Sequence, residues 1–502
     1  MQIDDLDLKN YRCFAKLHVQ LHPQMTVLVA PNGQGKTSVL DALKVALWPF
    51  VAGFDLGSTT NDITGIHIDD VRREQVAEHE MVWRLPAEIK ATGQLQVRQL
   101  VLDGLLKNPA PQPDGERMDI AVHFAADVPW QGMRYRESVR KGTKTKESAP
   151  AKALTLGESA KALQKRIFSG EQKSPDDLPM LGYYGTGRLW AQKHLTALHE
   201  KGSNEAQSRT FAYRDCLDPA SSYKHFAVWF SRVHQAYLQA QIANIERGLP
   251  LDADVPYGLI APFKAVQNAV NTILKQHTGW HGLQYSAEHD ELALNHSMHG
   301  RLKVSQLSDG IRNMLALVGD IAYRCYKLNA HLGELAPRRT HGVVLIDEVD
   351  MHLHPGWQQT VLTDLMAAFP KLQFIVTTHS PQVLTSVDAS CIRLLRQQMD
   401  SETGQQQTAI ETIALQTRGV ASSDVLAQIM GVDPIPDVPE ARMLSEYHAL
   451  IQQNLHHDAA GQALKAQLEA HFGTGHPVMH ECGRMIRLQA FKQKLPIPRG
   501  GA

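Results

Sequence analysis

The chain has 502 residues, with 51 Lys and Arg residues against 52 Asp and Glu residues, so its formal net charge is −1. Hydrophobic residues make up 43% of the chain and charged residues 21%. This balance is typical of a globular protein and excludes a disordered or collagen-like chain. The near-neutral charge argues against a protein that binds nucleic acid over its whole surface, but it allows local basic patches. By length we expect about three folding units, or one large domain with insertions.

Several features of the sequence bear on where the protein works. No run of the chain approaches about 18 consecutive apolar residues, so we expect no membrane-spanning helix and no membrane partner. Residues 1–5 are acidic and lack the basic-then-apolar order of a secretory signal. The five cysteines are widely scattered without a C-x-x-C pair, which is typical of reduced thiols in a cytosolic protein. We therefore expect a cytoplasmic location.

The strongest chemical signal is a glycine-bearing segment between a short apolar run and an amphipathic helix pattern. The segment reads Ala30, Pro31, Asn32, Gly33, Gln34, Gly35, Lys36, Thr37 and Ser38. This order predicts a phosphate-binding P-loop, so we expect these residues to bind ATP. The glycines would let backbone N–H groups close around phosphates, Lys36 would reach the β- and γ-phosphates, and the Thr37 hydroxyl would ligate Mg²⁺. The usual pattern begins with Gly, so Ala30 would strain the turn if its φ were positive.

A pair of carboxylates gives the second signal. Asp347 and Glu348 directly follow the apolar run at 343–346. This placement predicts both carboxylates at the carboxyl end of a buried strand, where ligands bind in doubly wound folds. We expect Asp347 to hold Mg²⁺, usually through water, and Glu348 to polarise the attacking water as a catalytic residue.

Two further motifs indicate the type of ATPase. The segment QLSDGIRN precedes an apolar helix pattern, and its Ser308 precedes Asp347 by 39 residues. The segment TTHSP closes a predicted strand, and its His379 follows Glu348 by 31 residues. These segments resemble the signature motif and the switch histidine of ABC-type ATPases.

In ABC-type ATPases the signature motif acts in trans, on the γ-phosphate that a partner subunit holds. The resemblance therefore implies that Ser308 and Gly310 bind ATP of a partner subunit, and that His379 takes part in catalysis by sensing the γ-phosphate. Taken alone, Ser308 is equally well explained as an ordinary helix N-cap. The resemblance also implies a homodimer, or a higher homo-oligomer, that sandwiches ATP and Mg²⁺.

Other segments narrow the resemblance. Residues 10–14 resemble the opening strand of the ABC-type ATPases related to the recombination, SMC and OLD proteins, and residues 350–355 resemble their D-loop. The segments at 10–14, 178–190, 422–426, 430–436 and 472–477 resemble the PtuA family, the ATPases of Septu-type and retron-associated antiphage systems.

The PtuA resemblance implies that the protein works with other molecules. It implies an ATPase that controls an HNH nuclease, PtuB, and that in retron systems also associates with a reverse transcriptase and its RNA-linked single-stranded DNA. OLD nucleases carry an Asp-x-Asp site after the ATPase, and no such motif follows His379, so we expect any nuclease activity to come from another chain. The alternative is a RecF-like DNA-repair ATPase that acts on DNA without a nuclease partner.

The predicted fold is α/β: an ABC-type, SMC/RecF-like P-loop ATPase head with basic and helical insertions and a helical C-terminal extension. The expected divisions are an N-terminal lobe with the P-loop at 1–130, a basic insertion at 131–180, a mainly helical insertion at 181–300, a C-terminal lobe at 301–417 and a helical extension at 418–502. Six basic residues and one acidic residue lie between Arg134 and Lys146. We interpret this basic run either as a contact to nucleic-acid phosphates or as a solvated loop.

Overall fold

The structure, a computed structural model, describes most of the chain. The described residues are 1–56, 65–77, 80–98, 125–150, 153–169, 176–188, 208–218, 222–251, 253, 255–399 and 406–494. The chain divides into two compact units, Met1–Val425 and Leu426–Ala502. Within the described ranges, no helix is long and apolar enough to cross a membrane.

A six-stranded sheet forms the centre of the first unit. Its strands in spatial order are β16 (Gln406–Thr412), β15 (Ile392–Met399), β3 (Met25–Val29), β14 (Leu372–Thr378), β13 (Gly342–Ile346) and β9 (Met180–Tyr184). All neighbouring strands are parallel except β15 and β16. Every residue of β3, β9, β13 and β14 is buried, which explains why these strands read as apolar runs without alternation. The carboxyl ends of β3, β14 and β13 therefore lie side by side.

A second, antiparallel sheet follows a different sequence pattern. Its strands in spatial order are β2 (Phe14–Gln20), β1 (Gln2–Tyr11), β6 (Ala87–Arg98), β7 (Ala125–Arg136) and β8 (Lys146–Ser148). In β2 buried and more exposed residues alternate, as expected for a strand with one face on a core. The short strands β4 (Arg73–Ala77) and β5 (Glu80–Trp83) form a separate hairpin.

The first two arginines of the basic run do not lie in a solvated loop. Arg134 and Arg136 lie in β7 and pair with β6. The Arg136 guanidinium is buried and donates hydrogen bonds to the carbonyl oxygens of residues 66, 140 and 143. The Arg134 guanidinium donates to the Val45 carbonyl at 3.3 Å. The loop interpretation is wrong for these two arginines because both lie in a strand and donate to backbone carbonyls. A contact of the basic run to nucleic acid stays a prediction.

Helices and a small sheet complete the first unit. The helices are α1 (Lys36–Ala52), α2 (Leu156–Ser169), α3 (Ser222–Glu246), α4 (Tyr257–Thr278), α5 (Asp309–Leu328), α6 (Ala336–Arg339), α7 (Pro355–Gln358), α8 (Val361–Ala368), α9 (Pro381–Leu384) and α10 (Ser422–Gln428), the last of which crosses the boundary between the units. The strands β10 (His281–Ser286), β11 (Glu291–His296) and β12 (Gly300–Lys303) form a three-stranded sheet before α5. Helix α5 packs closely on α3, because a Cβ at Gly319 would lie 2.5 Å from the Phe226 ring.

The second unit is helical, as the sequence predicted for this end of the chain. Its helices are α11 (Pro439–Gln452), α12 (Ala459–Phe472) and α13 (Pro477–Lys494). Proline starts α11, where its missing N–H costs nothing, and Gly473 ends α12 with a φ of 86°. A small core holds the helices together, formed by Tyr447, Ile451, Leu468, Met479 and Cys482.

Candidate functional site

The loop between β3 and α1 has the shape that its glycines require. Gly33 and Gly35 have φ values of 80° and 92°, a region that favours glycine. A Cβ at Gly35 would lie 2.5 Å from Phe14 Cζ, whereas no atom of the described residues lies within 4 Å of a Cβ at Gly33. Ala30 is buried and its φ is not positive, so its methyl group does not strain the turn. The loop thus leaves open space beside Gly33, where backbone N–H groups at the start of α1 can meet an anion.

The Lys36 side chain folds back over this loop. It is 7% exposed, and its Nζ donates hydrogen bonds to the carbonyl oxygens of Ala30 at 2.8 Å and Pro31 at 3.3 Å. Burial lowers the pKa of Lys36, while the nearby carboxylates of Asp347 and Glu348 oppose that shift. The ammonium group is therefore held at the loop by weak neutral acceptors, which a phosphate oxygen can replace.

A hydroxyl–carboxylate chain joins the P-loop to the end of β13. The Thr37 hydroxyl donates to Asp347 Oδ2 at 2.9 Å, and the Thr377 hydroxyl donates to Asp347 Oδ1 at 2.6 Å. Thr377 Oγ1 in turn accepts a hydrogen bond from the Glu348 N–H at 2.8 Å. We gave Thr377 no role from the sequence, although its place before His379 at the end of a predicted strand was a usable signal.

Glu348 and His379 lie at the ends of the neighbouring strands β13 and β14. Glu348 has a φ of 48°, an uncommon conformation for a residue other than glycine, which costs about 1–3 kcal/mol where the surroundings enforce it. His379 is half-buried and directly follows β14. The next residue, Ser380, caps α9 by accepting the Val383 N–H at 3.3 Å. The chain direction at both strand ends is thus fixed by local hydrogen bonds.

The predicted signature residues lie at the start of α5. Ser308 occupies the N-cap position and is exposed, and its hydroxyl does not cap the helix. Gly310 is buried, and a Cβ there would lie 2.5 Å from the His352 carbonyl oxygen, so this glycine permits a close approach to the segment after Glu348. Within the described ranges, no hydrogen bond or ion pair connects Ser308 to the P-loop. The structure brings Lys36, Thr37, Asp347 and Glu348 together and leaves Ser308 apart.

Arg12, which we did not single out from the sequence, lies against the P-loop helix. Its guanidinium donates to Asp41 at 2.7 Å, to Asp70 at 2.8 Å and to Ser38 Oγ at 3.4 Å. A cavity of 390 Å³ adjoins it, and its polar lining includes Arg12, Asp41, Lys44, His67 and Asp70. The signal was the cation in the turn at residues 10–14, but only the fold shows that this turn meets α1.

The residues at the strand ends fit a nucleotide with a magnesium ion. The Thr37 hydroxyl and the Asp347 carboxylate are the hard oxygen ligands that Mg²⁺ prefers. Lys36 supplies a cation beside the open space at Gly33. In the described part of the chain, Gln34 Oε1 is buried without a hydrogen-bond partner, which leaves it able to accept one from a ligand.

Two family models match overlapping parts of the chain. One is described as "AAA domain" and matches residues 5–241; the other is described as "AAA domain, putative AbiEii toxin, Type IV TA system" and matches residues 196–385. A solved structure of an SMC head bound to the C-winged helix domain of ScpA covers 82% of this chain and 99% of that chain, with a TM-score of 0.45 and 15% identity. The class of the protein is defined by the sheet order and by the motifs at the strand ends.

Several named relatives come from defence systems, and short matches to the DNA replication and repair protein RecF cover 9% of this chain. The retron Ec83 probable ATPase of Escherichia coli is 39% identical over 34% of this chain and 30% of its own length. The retron Vc95 probable ATPase of Vibrio cholerae serotype O1 biovar El Tor is 26% identical over 51% of this chain and 55% of its own length. The Septu protein PtuA of Bacillus mycoides strain KBAB4 is 30% identical over 30% of this chain and 20% of its own length. The matched part of the chain therefore covers between 20% and 55% of the length of these three relatives.

The fold and the strand-end motifs define an ABC-type P-loop ATPase head, as predicted. Within this class, the chain is related to the PtuA and retron group of antiphage-defence ATPases. The predicted family resemblance is therefore confirmed.

Proposed function

We propose that this protein binds and hydrolyses ATP with Mg²⁺ as a subunit of an antiphage defence complex. The observation that carries the proposal is the hydrogen bond from Thr37 to Asp347, which joins the P-loop to the carboxyl end of β13 beside the Lys36 ammonium. Phosphate chemistry needs a cation and an oxygen-rich metal site at one place, and these groups supply both. The related ATPases of retron and Septu systems support the defence setting.

The chain's own residues would divide the chemistry between them. Lys36 would exchange its two carbonyl acceptors for phosphate oxygens, and Thr37 and Asp347 would hold the magnesium ion. When bound, that ion neutralises charge on the phosphates. Glu348 would orient a water molecule and take its proton, and His379 would contact the γ-phosphate from the end of β14. Asp347 is held for this task by hydrogen bonds at both carboxylate oxygens.

A second copy of the chain would complete the site. Ser308 is exposed at the start of α5 and does not cap its own helix, so its hydroxyl and the helix N–H groups are open to an anion held by another subunit. Gly310 would allow the same close approach. We infer an ATP-dependent homodimer, or a higher homo-oligomer, with two composite sites.

A role in antiphage defence also implies partner molecules. In it the ATPase controls an HNH nuclease, PtuB, and in a retron setting also associates with a reverse transcriptase and its RNA-linked single-stranded DNA. The ATPase itself would carry no nuclease site. The second candidate is a RecF-like repair ATPase that acts on DNA unaided, which is favoured by the P-loop head that both classes share and by 44% identity to RecF proteins over 43 residues.

The Glu348→Gln variant tests the ATPase proposal. Loss of the carboxylate should remove hydrolysis while sparing ATP binding, so ATP should trap a dimer whose mass doubles in light scattering. Glu334→Gln, at an exposed glutamate, is the matched control and should hydrolyse ATP like the unaltered protein. Unchanged mass with ATP and Mg²⁺ would contradict the composite site, and unchanged hydrolysis would contradict the role of Glu348.

Purification from the native operon tests the partners. A stoichiometric HNH protein, with or without a reverse transcriptase and its DNA, is the expected result. An ATPase that carries nothing, and whose hydrolysis DNA stimulates, would instead support the repair function.

A further inference from the structure

We propose that Tyr183 and Tyr184, the adjacent tyrosines that end β9, are positioning residues that couple α1 to α5. Through them, the P-loop of one subunit would respond to the signature serine of the same subunit, and the two ATP sites of a dimer would act cooperatively. This inference rests on the proposed ATPase function and adds its regulation. It also gives a role to the sequence LGYYG at 181–185, which the proposed chemistry does not use.

The two side chains reach opposite faces of the six-stranded sheet, because successive residues of a strand point to opposite sides. On one face, Tyr183 is 2% exposed, and the Lys44 Nζ of α1 lies 5.8 Å from the centre of its ring. Burial and the nearby Asp41 carboxylate of α1 raise the pKa of the Tyr183 hydroxyl. Asp41 also forms ion pairs with Arg12 at 2.7 Å and with Lys44 at 3.3 Å. Tyr183 therefore joins a charged cluster on the helix that begins with the P-loop lysine.

On the other face, Tyr184 reaches a buried ion pair in α5. Its hydroxyl donates to Asp320 Oδ2 at 2.8 Å, and Arg324 Nε donates to the same oxygen at 2.7 Å. Asp320 is fully buried, and Tyr184 and Arg324 are each 1% exposed. A buried charge that loses a partner is costly, so this contact resists any movement of α5 that leaves β9 behind.

The strand is built to seat the Tyr184 ring. A Cβ at Gly182 would lie 2.8 Å from Tyr184 Cε2, so the ring folds back over the glycine along its own strand. Glycine weakens a strand interior, and its presence here is explained by this close approach. The sequence thus gives up strand stability at one position to place one hydroxyl.

Tyr184 and α1 both contact Asp347. The Asp347 N–H donates to the Tyr184 carbonyl oxygen at 2.8 Å, and Asp347 also accepts the Thr37 hydroxyl, one helical turn before Asp41 on α1. At the far end of α5, Ser308 lies 12 residues before Asp320. A shift of α5 on binding a partner's ATP would therefore act on β9 and, through it, on the position of Asp347.

The test compares three variants of the full chain by ATP affinity, kcat and the Hill coefficient of hydrolysis. Tyr184→Phe removes the hydroxyl, and Gly182→Ala displaces the ring while keeping the hydroxyl. Both should lower the Hill coefficient from nearly 2 toward 1 and lower kcat about 10-fold, with single-site ATP affinity changed less than about 2-fold. Tyr213→Phe is the matched control, because it loses a buried hydroxyl bond of 2.7 Å to the Pro179 carbonyl, and in the described part of the chain this hydroxyl bonds neither Asp41 nor Asp320.

Each outcome decides between coupling and plain packing. A Hill coefficient in Tyr184→Phe equal to that of the unaltered protein overturns the inference, and so does an equal loss in Tyr213→Phe. If Tyr184→Phe does not fold, Gly182→Ala alone decides by the same readout. Cooperative loss without loss of affinity supports the inference. Hydrolysis without cooperativity in the unaltered protein refutes the coupling and leaves the ATPase proposal intact, whereas absence of ATP binding refutes the ATPase proposal first.

Discussion

The P-loop side and the signature side of the first unit satisfy their polar groups in different ways. At the P-loop, Lys36 is buried on carbonyl oxygens, and Thr37 and Asp347 are hydrogen-bonded to each other. At the start of α5, Ser308 is exposed, and its hydroxyl leaves the first N–H groups of the helix uncapped, although serine is among the best capping residues. One side is complete within the chain, while the other leaves donors for something outside it.

This contrast predicts that the two sides fail differently when mutated, and Lys36→Ala should have the largest effect. It removes the cation and its charge-assisted hydrogen bonds to phosphate, each worth about 1.5–3 kcal/mol, so the Kd for ATP should rise at least about 100-fold. Calorimetric titration measures this change. Lys165→Ala, at an exposed lysine of α2, is the control and should bind normally. Normal binding by Lys36→Ala would mean that the P-loop does not hold the phosphates.

Ser308→Arg should spare binding and abolish turnover. A bulky cation at the exposed N-cap would block approach to a partner's ATP, so hydrolysis should fall about 100-fold and ATP should no longer double the mass. The fold should tolerate the change because the serine makes no cap bond. Ser148→Arg on the exposed strand β8 is the control. Loss of ATP binding itself would show that α5 serves the P-loop of its own chain.

Mixing the two variants sharpens the comparison. A heterodimer of Lys36→Ala and Ser308→Arg subunits has one intact composite site, formed by the P-loop of the second and the signature of the first. Half of the randomly paired dimers are of this kind, so hydrolysis should recover to roughly a quarter of the unaltered rate if the two sites act independently, and to a smaller but measurable fraction if they are coupled. No recovery would contradict action in trans.

The contrast also explains what could be predicted from the sequence. The P-loop and the Asp347–Glu348 pair follow short apolar runs, so local patterning was enough to place them at the ends of buried strands. The contacts of Tyr184 could not be predicted, because Asp320 lies 136 residues away and only the packing of α5 on β9 brings the two together. The contact of Arg134 could not be predicted for a related reason: its acceptor, the Val45 carbonyl, belongs to a helix distant in the sequence. A charged side chain that donates to a distant backbone carbonyl produces no recognisable pattern in the sequence around it.

The signature side also contains a buried histidine that should make it sensitive to acid. His234 on α3 is 5% exposed, and its Nδ1 accepts the Tyr285 N–H at 3.4 Å. The rings of Phe230 and Phe263 lie 6.2 and 5.0 Å from its own. Burial lowers the pKa of His234 from 6.5 to about 4, and the charge of Arg301 adds to the shift. The histidine is thus neutral in the folded layer that supports α5.

Because the folded pKa lies below the unfolded value, the unfolded chain binds more protons between pH 6.5 and about 4. Stability is therefore full above pH 6.5 and is lost as the pH falls through this window, by about 1 kcal/mol at pH 5.5. His234→Phe keeps the ring but cannot be protonated, so its melting temperature should fall about 2 °C less between pH 7.5 and 5.5 than that of the unaltered protein. Calorimetry at the two pH values measures the difference, and His289→Phe, at an exposed histidine, should leave the pH dependence unchanged. The His234→Phe variant also lacks the Nδ1 acceptor for the Tyr285 N–H. The stability lost in this way is the same at both pH values, so it cancels in the comparison. An equal fall in both proteins would mean that His234 is already protonated in the folded state, and that its neighbours on α3 and α4 do not exclude the charge.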